Sequence, residues 1–316
     1  MPEDYRRSST GRKRSWYGLK KRAKWFFSLR IPHAVLLRAT RFAPSLRASG
    51  RLPAPARLRE VTGWVQGRSF VMLRPPECVV AKELYWGNGR RPRAEDAFAV
   101  ELFGAAARRA TAMVDVGAYT GLFTLVGTAV NETLQAHAFE IVPEVFQALI
   151  DNCVRNDVLD RTFLYAEGLG RPDTEMTIPA RSRDSALPSF YSSRLHFDTG
   201  VRVRFRALDS LAPVLPRDAK VVMKIDVEGT EDAVLEYGQE FLRAFRPDVL
   251  CEVLPGVGDA MTVEKLLSGH GYRFYLVRGG HLQQADHVRG HPRYRDWFFT
   301  VRSQDELADW GVRLTT

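Results

Sequence analysis

Cysteine is scarce in this chain of 316 residues: Cys78, Cys153 and Cys251 stand alone, and none belongs to a C-x-x-C pair. That argues against a zinc site or a disulfide framework and fits a reducing compartment, so a cytoplasmic location is expected. No run of about 18 apolar residues occurs, which leaves no candidate spanning helix. The basic N-terminus has no uninterrupted apolar stretch followed by a small-residue cleavage site, so a secretory signal is not expected. The seven histidines show no ligand spacing. His281, His287 and His291 fall in an expected loop, and no internal repeat is evident. Acidic residues are rare at one end only. Residues 1–60 carry 16 Lys/Arg against 3 Asp/Glu, a net of +13 in a chain of net +9, which leaves −4 for the rest. The high pI belongs to the tail, and a mildly acidic body is not expected to bind nucleic acid.

The length allows a full α/β core, expected over residues 61–316, preceded by a basic extension over residues 1–60. Met1–Arg14 is polar and basic, and is expected to be disordered. In Ser15–Phe42, Trp16, Leu19, Ala23, Phe26 and Phe27 share a helical face, with Lys20, Lys21, Arg22 and Lys24 largely elsewhere. Two uses fit: peripheral contact of residues 15–42 with an anionic membrane surface, or packing on the catalytic body or a partner. Pro44–Pro55 has the composition of a linker.

The stretch Thr111–Val126, TAMVDVGAYTGLFTLV, is the one the body is organised around. Ala112–Val116 is a short apolar strand with one carboxylate, Asp115. Gly117-Ala118-Tyr119-Thr120-Gly121 follows as a turn, and Leu122–Val126 opens a helix. Gly117 and Gly121 permit a sharp bend and close approach of a ligand, and the helix start offers N–H groups and a positive dipole end. Twenty-five residues beyond Asp115, Glu140 ends a second strand, where a doubly wound fold places the acid that takes the ribose hydroxyls. The turn reads D-x-G-x-x-x-G and lacks the dinucleotide pattern G-x-G-x-x-G. An acid at the strand end repels a pyrophosphate and attracts an ammonium or sulfonium. S-adenosylmethionine, which has an adenosine at one end and positive charge at the other, is the cofactor these charges favour.

Other segments follow in order. Ser69–Arg74 and Cys78–Ala81 are expected strands, Trp86–Gly89 a turn, and Ala94–Ala107 a helix serving as a lid or wall, or simply packing on the sheet. Val145–Val154 is an amphipathic helix and Thr162–Ala166 a third strand, with Glu167 placed near an adenine. Arg171–Phe205 is long and polar, with Ser182, Ser185, Ser189, Ser192 and Ser193, and suits substrate contact or a β-hairpin. Lys220–Gly229 is a buried strand ending in Asp226 and Glu228, followed by a helix Glu231–Phe245. Pro247–Val253, Tyr272–Val277 and Asp296–Val301 are further strands, with a helix at Met261–Gly269. This alternation indicates βαβ units and a largely parallel sheet.

VDVGAYTGLFTL (Val114–Leu125), FEIVPEVFQALIDNCVRN (Phe139–Asn156), ALDSL (Ala207–Leu211), KIDVEGTEDAVL (Lys224–Leu235) and CEV (Cys251–Val253) resemble, in order, the FkbM family of S-adenosylmethionine-dependent methyltransferases. The resemblance covers roughly residues 79–301. It implies a Rossmann-like class I methyltransferase fold, α/β, with a seven-stranded mostly parallel sheet and helices on both faces. It also implies a methyl acceptor that is a hydroxyl on a sugar, glycan or natural product; the alternatives are an amine acceptor, or a non-catalytic protein that keeps the fold and uses its basic tail for membrane or partner binding. By the same resemblance Asp115, Gly117, Ala118, Tyr119 and Gly121 belong to the donor turn, Glu140 is the ribose acid, and Asp226 and Glu228 are the acidic motif after the fourth strand. Two departures occur: Ile141 stands where many members have proline, and Tyr119 where many have Asn. For catalysis the sequence nominates Asp226 as base or metal ligand, with Lys224 on the same strand face and Glu228 beside it. Asp226, Glu228 and Glu252 are hard oxygen ligands of the kind Mg²⁺ takes.

Overall fold

The computed structural model describes residues 23, 25–43, 46–47, 52–178 and 200–315. The expectations for Met1–Arg14, for Trp16, Leu19 and the lysines around them, and for the serines of 182–193 lie outside the described residues. A helix α1 (Arg30–Ala39) precedes a hairpin of β1 (Glu60–Val65) and β2 (Arg68–Leu73). Helices α2 (Val79–Trp86) and α3 (Ala94–Ala107) lead to β3 (Ala112–Val116), α4 (Leu122–Val130), β4 (Gln135–Phe139), α5 (Pro143–Arg155) and β5 (Thr162–Tyr165). Short strands β6 (Gly168–Leu169), β7 (Thr174–Ile178) and β8 (Val201–Arg206) make a separate three-stranded sheet. Then come β9 (Val221–Ile225), α6 (Glu231–Glu236), α7 (Gln239–Phe245), β10 (Asp248–Glu252), α8 (Ala260–Ser268), β11 (Arg273–Val277), β12 (Leu282–Ala285), β13 (Asp296–Thr300), α9 (Gln304–Ala308) and β14 (Leu314–Thr315).

The main sheet has nine strands in the order β14-β12-β11-β13-β10-β9-β3-β4-β5. Seven of them, β5 through β11, make the expected sheet, mostly parallel and covered by helices on both faces. Strand β13 is antiparallel to both β10 and β11. The two extra strands, β12 and β14, widen the β11 edge; both are too short and too polar to stand out by periodicity. The strands from β5 to β10 run parallel, and their carboxyl ends converge on one edge of the sheet. Alternation along β3 and β9 divides the core. Met113 and Val222 pack on one face with α3 and α4, while Val114, Val116, Met223 and Ile225 pack on the other with α6 and α7.

Two expected elements come out differently. Cys78–Ala81 is the start of α2, not a strand. Cys78 keeps extended backbone as the N-cap and its Sγ accepts from the Ala81 N–H, and the buried pair Ala81 and Leu84 sits at helical spacing. The adjacent valines mimic a strand but occupy the first helical turn. The helix expected over Glu231–Phe245 is two helices. The second, α7, turns away at Gly238, where a Cβ would meet Leu208 Cδ2 at 2.6 Å and Val234 O at 3.0 Å. Asp209, of the ALDSL motif, caps α7 by accepting from the Phe241 N–H at 2.8 Å. Helix α3 packs against the hairpin and sheet along most of its length, and its first turn, at Glu95 and Asp96, walls the polar cleft beside the site described next. Among the described residues no helix is long and apolar enough to cross a membrane.

Candidate active site

A cavity of about 510 Å³ opens at the carboxyl ends of β3, β4, β5 and β9, where parallel α/β sheets bind their ligands. Its size suits a small-molecule cofactor. The β3 turn and Glu140 form the middle, Lys224, Asp226 and Glu228 one end, and Glu167 with the β6–β8 sheet the other.

The turn after β3 is built by contacts that the sequence states only in part. Gly117 has φ +76° and its Cα faces the β9 end so closely that a Cβ would lie 1.9 Å from the Asp226 carbonyl oxygen. Only glycine fits there. The N–H groups of Gly117 and Ala118 both donate to Phe139 O at 3.0 and 2.9 Å, and that of Gly121 donates to Ala118 O. These turn N–H groups are therefore spent within the fold, as is that of Thr124 in the first turn of α4, which donates to Asp115. Ala118 and Tyr119 line the cavity, and Tyr119 takes the left-handed φ of +51°. Gly121 does not line it. It is the N-cap of α4 at φ +90°, pressed against Leu149.

Asp115 is likewise outside the cavity wall, which corrects its expected role as a direct partner of a cationic ligand. It is 1 % exposed, and its Oδ2 accepts from the N–H and the hydroxyl of Thr124 at 2.9 and 2.7 Å. Thr124 is the third residue of α4, whose N-cap is a glycine with no side chain to offer. The strand carboxylate thus caps the helix from across the turn. Burial pushes its pKa up to about 6, against the Thr124 hydrogen bonds and the Lys224 charge.

Glu140 does reach the cavity. One oxygen accepts from the Tyr119 N–H at 2.9 Å and the other from the Val142 N–H at 2.8 Å, so each retains a lone pair for a ligand hydroxyl. Burial raises its pKa to about 7, although backbone N–H donors pull the other way. Glu167 lines the far end and pairs loosely with Arg206 at 3.8 Å.

The β9 end carries the strongest charge cluster. Lys224 is 2 % exposed, with Nζ 3.5 Å from both Asp226 and Asp296 and 5.4 Å from the Phe123 ring centre. Burial works against the ammonium, but the two carboxylates outweigh it and hold its pKa above the usual lysine value. A lysine so held is no proton acceptor; its charge fixes Asp226 in place. Glu228, at φ +55°, lines the cavity, and burial together with the Asp226 charge raises its pKa. Glu252 is raised well above the usual carboxylate range by burial and by Asp226. Asp226, Glu228 and Glu252 bring carboxylate oxygens within 4.8 Å of one another. That spacing suits one hard divalent cation, or a shared proton.

Arg91 escaped notice in the sequence. Its guanidinium is held by Glu83 at 2.8 Å and Asp96 at 3.1 Å, and it lines both the main cavity and a polar cleft of about 180 Å³ beside it. Glu252, Asp296 and Arg295 line that cleft too. Val79 and Val80 of α2 and Met176 and Ile178 of β7 complete the apolar walls. None of these carries a motif; the one available signal was the charge density of Glu83–Asp96. His281, His287 and His291 do not line the cavity; His287 pairs with Glu264.

The family model described as Methyltransferase FkbM domain matches residues 115–274, half of the chain. No curated protein matches. Among solved structures, methyltransferase FkbM from Methylobacillus flagellatus KT is similar at 15 % identity and TM-score 0.40, over 60 % of this chain. The chain spans 43 % of that protein's length. Aeropyrum pernix fibrillarin in complex with S-adenosyl-L-methionine is similar at 11 % identity and TM-score 0.35, over 61 % of this chain and 66 % of that one. Mitomycin 7-O-methyltransferase MmcR is similar at 13 % and 0.32, over 72 % and 59 %. With half of its length matched by the family model, including the β3 turn and the β9 acids, the chain belongs to the methyltransferase FkbM family.

Proposed function

We propose that the cavity binds S-adenosylmethionine and that the chain transfers its methyl group to a hydroxyl oxygen of a sugar, glycan or natural product. The observation that carries this is the order of charge along one cavity. Glu140, at the middle of the cavity, would take the ribose hydroxyls, and the Asp226–Glu228 pair at one end would meet the sulfonium and ammonium. Arg91, held by Glu83 and Asp96, lines the same cavity and would face the donor carboxylate.

In the reaction the acceptor oxygen attacks the methyl carbon in line with the departing sulfur. An O–C bond forms, the C–S bond breaks, and sulfur keeps the electron pair. The hydroxyl proton passes to Asp226, which lines the cavity and is positioned by Lys224. Glu228 and Glu252, whose oxygens lie within 4.8 Å of Asp226 and whose proton affinity is raised by burial, flank that base. The acceptor enters through the adjoining polar cleft, which Glu252 and Asp296 help to line. Asp226, Glu228 and Glu252 would also hold Mg²⁺, which would lend positive charge to the acceptor oxygen.

Calorimetry with S-adenosylmethionine and its demethylated product tests the donor site; no binding at millimolar ligand would leave a methyltransferase fold without the activity. Asp226→Asn is then expected to keep donor affinity and to lose roughly 10²–10⁴-fold in turnover over a panel of hydroxyl acceptors. Full activity in that variant would remove Asp226 as the base.

A further inference from the structure

We infer that residues 25–43, with Leu46, are a docking surface for an anionic phospholipid bilayer. Of the seventeen large hydrophobic side chains exposed among the described residues, nine lie in this short segment, including Trp25, Phe26, Ile31 and Val35. Helix α1 divides cleanly. His33, Leu36 and Thr40 form the inward side, where His33 bonds the Tyr85 hydroxyl at 2.8 Å and the Phe27 carbonyl at 3.0 Å. Ile31 and Val35, four residues apart, form the outward side at 79 % and 61 % exposure, followed by Phe42 at 89 %. A helix facing water normally puts polar residues there.

Charge selects the occupant. From residue 5 to residue 59 the sequence holds 16 Lys/Arg and no Asp or Glu. A second copy meeting this face about a two-fold axis would oppose Arg30 and Arg38 to their own copies, with no acid in the segment to offset them. The N-terminal 22 residues carry the same sign, so folding back onto α1 concentrates like charge. A bilayer of anionic lipid supplies both complements at once: headgroup phosphates for the cations and an interfacial zone for Trp25, Phe26, Ile31 and Val35.

The surface also bears on the acceptor, a consequence that rests on the methyl-transfer proposal. Helix α1 leans on Tyr85 and Trp86 at the end of α2, and Val79 and Val80 at its start wall the donor cavity. The eight residues of α2 span about 12 Å. A bilayer under α1 therefore brings the cavity close to lipid, which favours an acceptor hydroxyl carried on a lipid or a lipid-linked glycan.

Sedimentation of the full chain with vesicles tests the surface without any turnover. Binding is expected to vesicles of phosphatidylcholine containing phosphatidylglycerol and not to phosphatidylcholine alone, and to weaken in high salt. Arg30→Gln and Arg38→Gln should each lower partitioning about fivefold. The exposed pair Ile31→Asp with Val35→Asp should lower it at least about tenfold, at an unchanged melting temperature. A chain that stays in the supernatant with anionic vesicles overturns the inference, as does a double variant that partitions like the parent. A dimer in solution abolished by the double variant would assign the face to a second copy instead. Titration of S-adenosylmethionine on the same preparations keeps a failure of the donor site distinct from a failure of the surface.

Discussion

Donor affinity should depend on pH through Glu140. In the free protein its carboxyl has a pKa of about 7, raised chiefly by burial from an ordinary 4.5. A ribose diol donates hydrogen bonds and prefers the ionised carboxylate, so binding lowers this pKa and affinity falls as pH drops through it. The ionised fraction is about ten-elevenths at pH 8 and about one-eleventh at pH 6, a tenfold change worth about 1.4 kcal/mol. Calorimetry with the demethylated donor product at pH 6, 7 and 8 should show that tenfold loss. Repeating pH 7 in two buffers of different ionisation enthalpy should show about half a proton released per ligand bound. Glu140→Gln should bind more weakly at pH 8 and have a flat profile over the same interval. A flat profile in the parent protein, or an equal slope in the Gln variant, would refute the assignment of Glu140 to the ribose.

Three further outcomes are expected. Asp115→Asn keeps an oxygen for Thr124 and should leave donor affinity within a few-fold, whereas Asp115→Ala orphans the Thr124 N–H and hydroxyl and should cost about 2–5 kcal/mol of stability by denaturant titration; equal losses of affinity in both would restore a direct contact with the donor. Gly117→Ala should lower stability by more than the ~1–2 kcal/mol of a left-handed residue, because the added carbon meets the Asp226 carbonyl, and an unchanged melting temperature would contradict that contact. Treatment with a chelator should lower turnover, with Mg²⁺ restoring it and donor affinity unaffected; an unchanged rate would show that the cluster works without a divalent cation.

What could be read in the sequence follows from how narrowly the backbone dictates each residue. Gly117 and Asp226 were legible because a turn packed against a neighbouring strand end accepts no other geometry at the first and a charged strand end is rare at the second. Asp115 was noticed for the right reason and given the wrong partner: its carboxylate is nine residues from Thr124, and a strand-to-helix cap across a turn leaves no local pattern. The β12 and β14 edge was invisible because two to four residues, half of them polar, carry no period. Arg91, Val79 and Met176 were missed for a different reason. They come from three separate stretches, and nothing local marks them as neighbours until the sheet brings their elements to one rim.

The same geometry says which parts of the site can vary independently. The β3 turn and the β9 acids are one piece: the Asp226 N–H donates to Val116 O at 2.9 Å, Asp115 is opposite Lys224 in register, and Gly117 leaves no room between turn and strand. Moving the turn moves the proposed base with it, so donor grip and base position cannot be tuned apart. The walls made by α2 and the β7–β8 hairpin touch the turn through side chains: Cys78 Sγ lies 3.2 Å from the Thr120 hydroxyl, and Tyr119 packs with Ile178 and Val203. They reach the cavity from the N-terminal and middle segments. The cleft through which the proposed acceptor enters is lined by Arg93 and Glu95 from the same N-terminal segment, so exchanging either is expected to change which acceptor is methylated while leaving donor affinity within a few-fold.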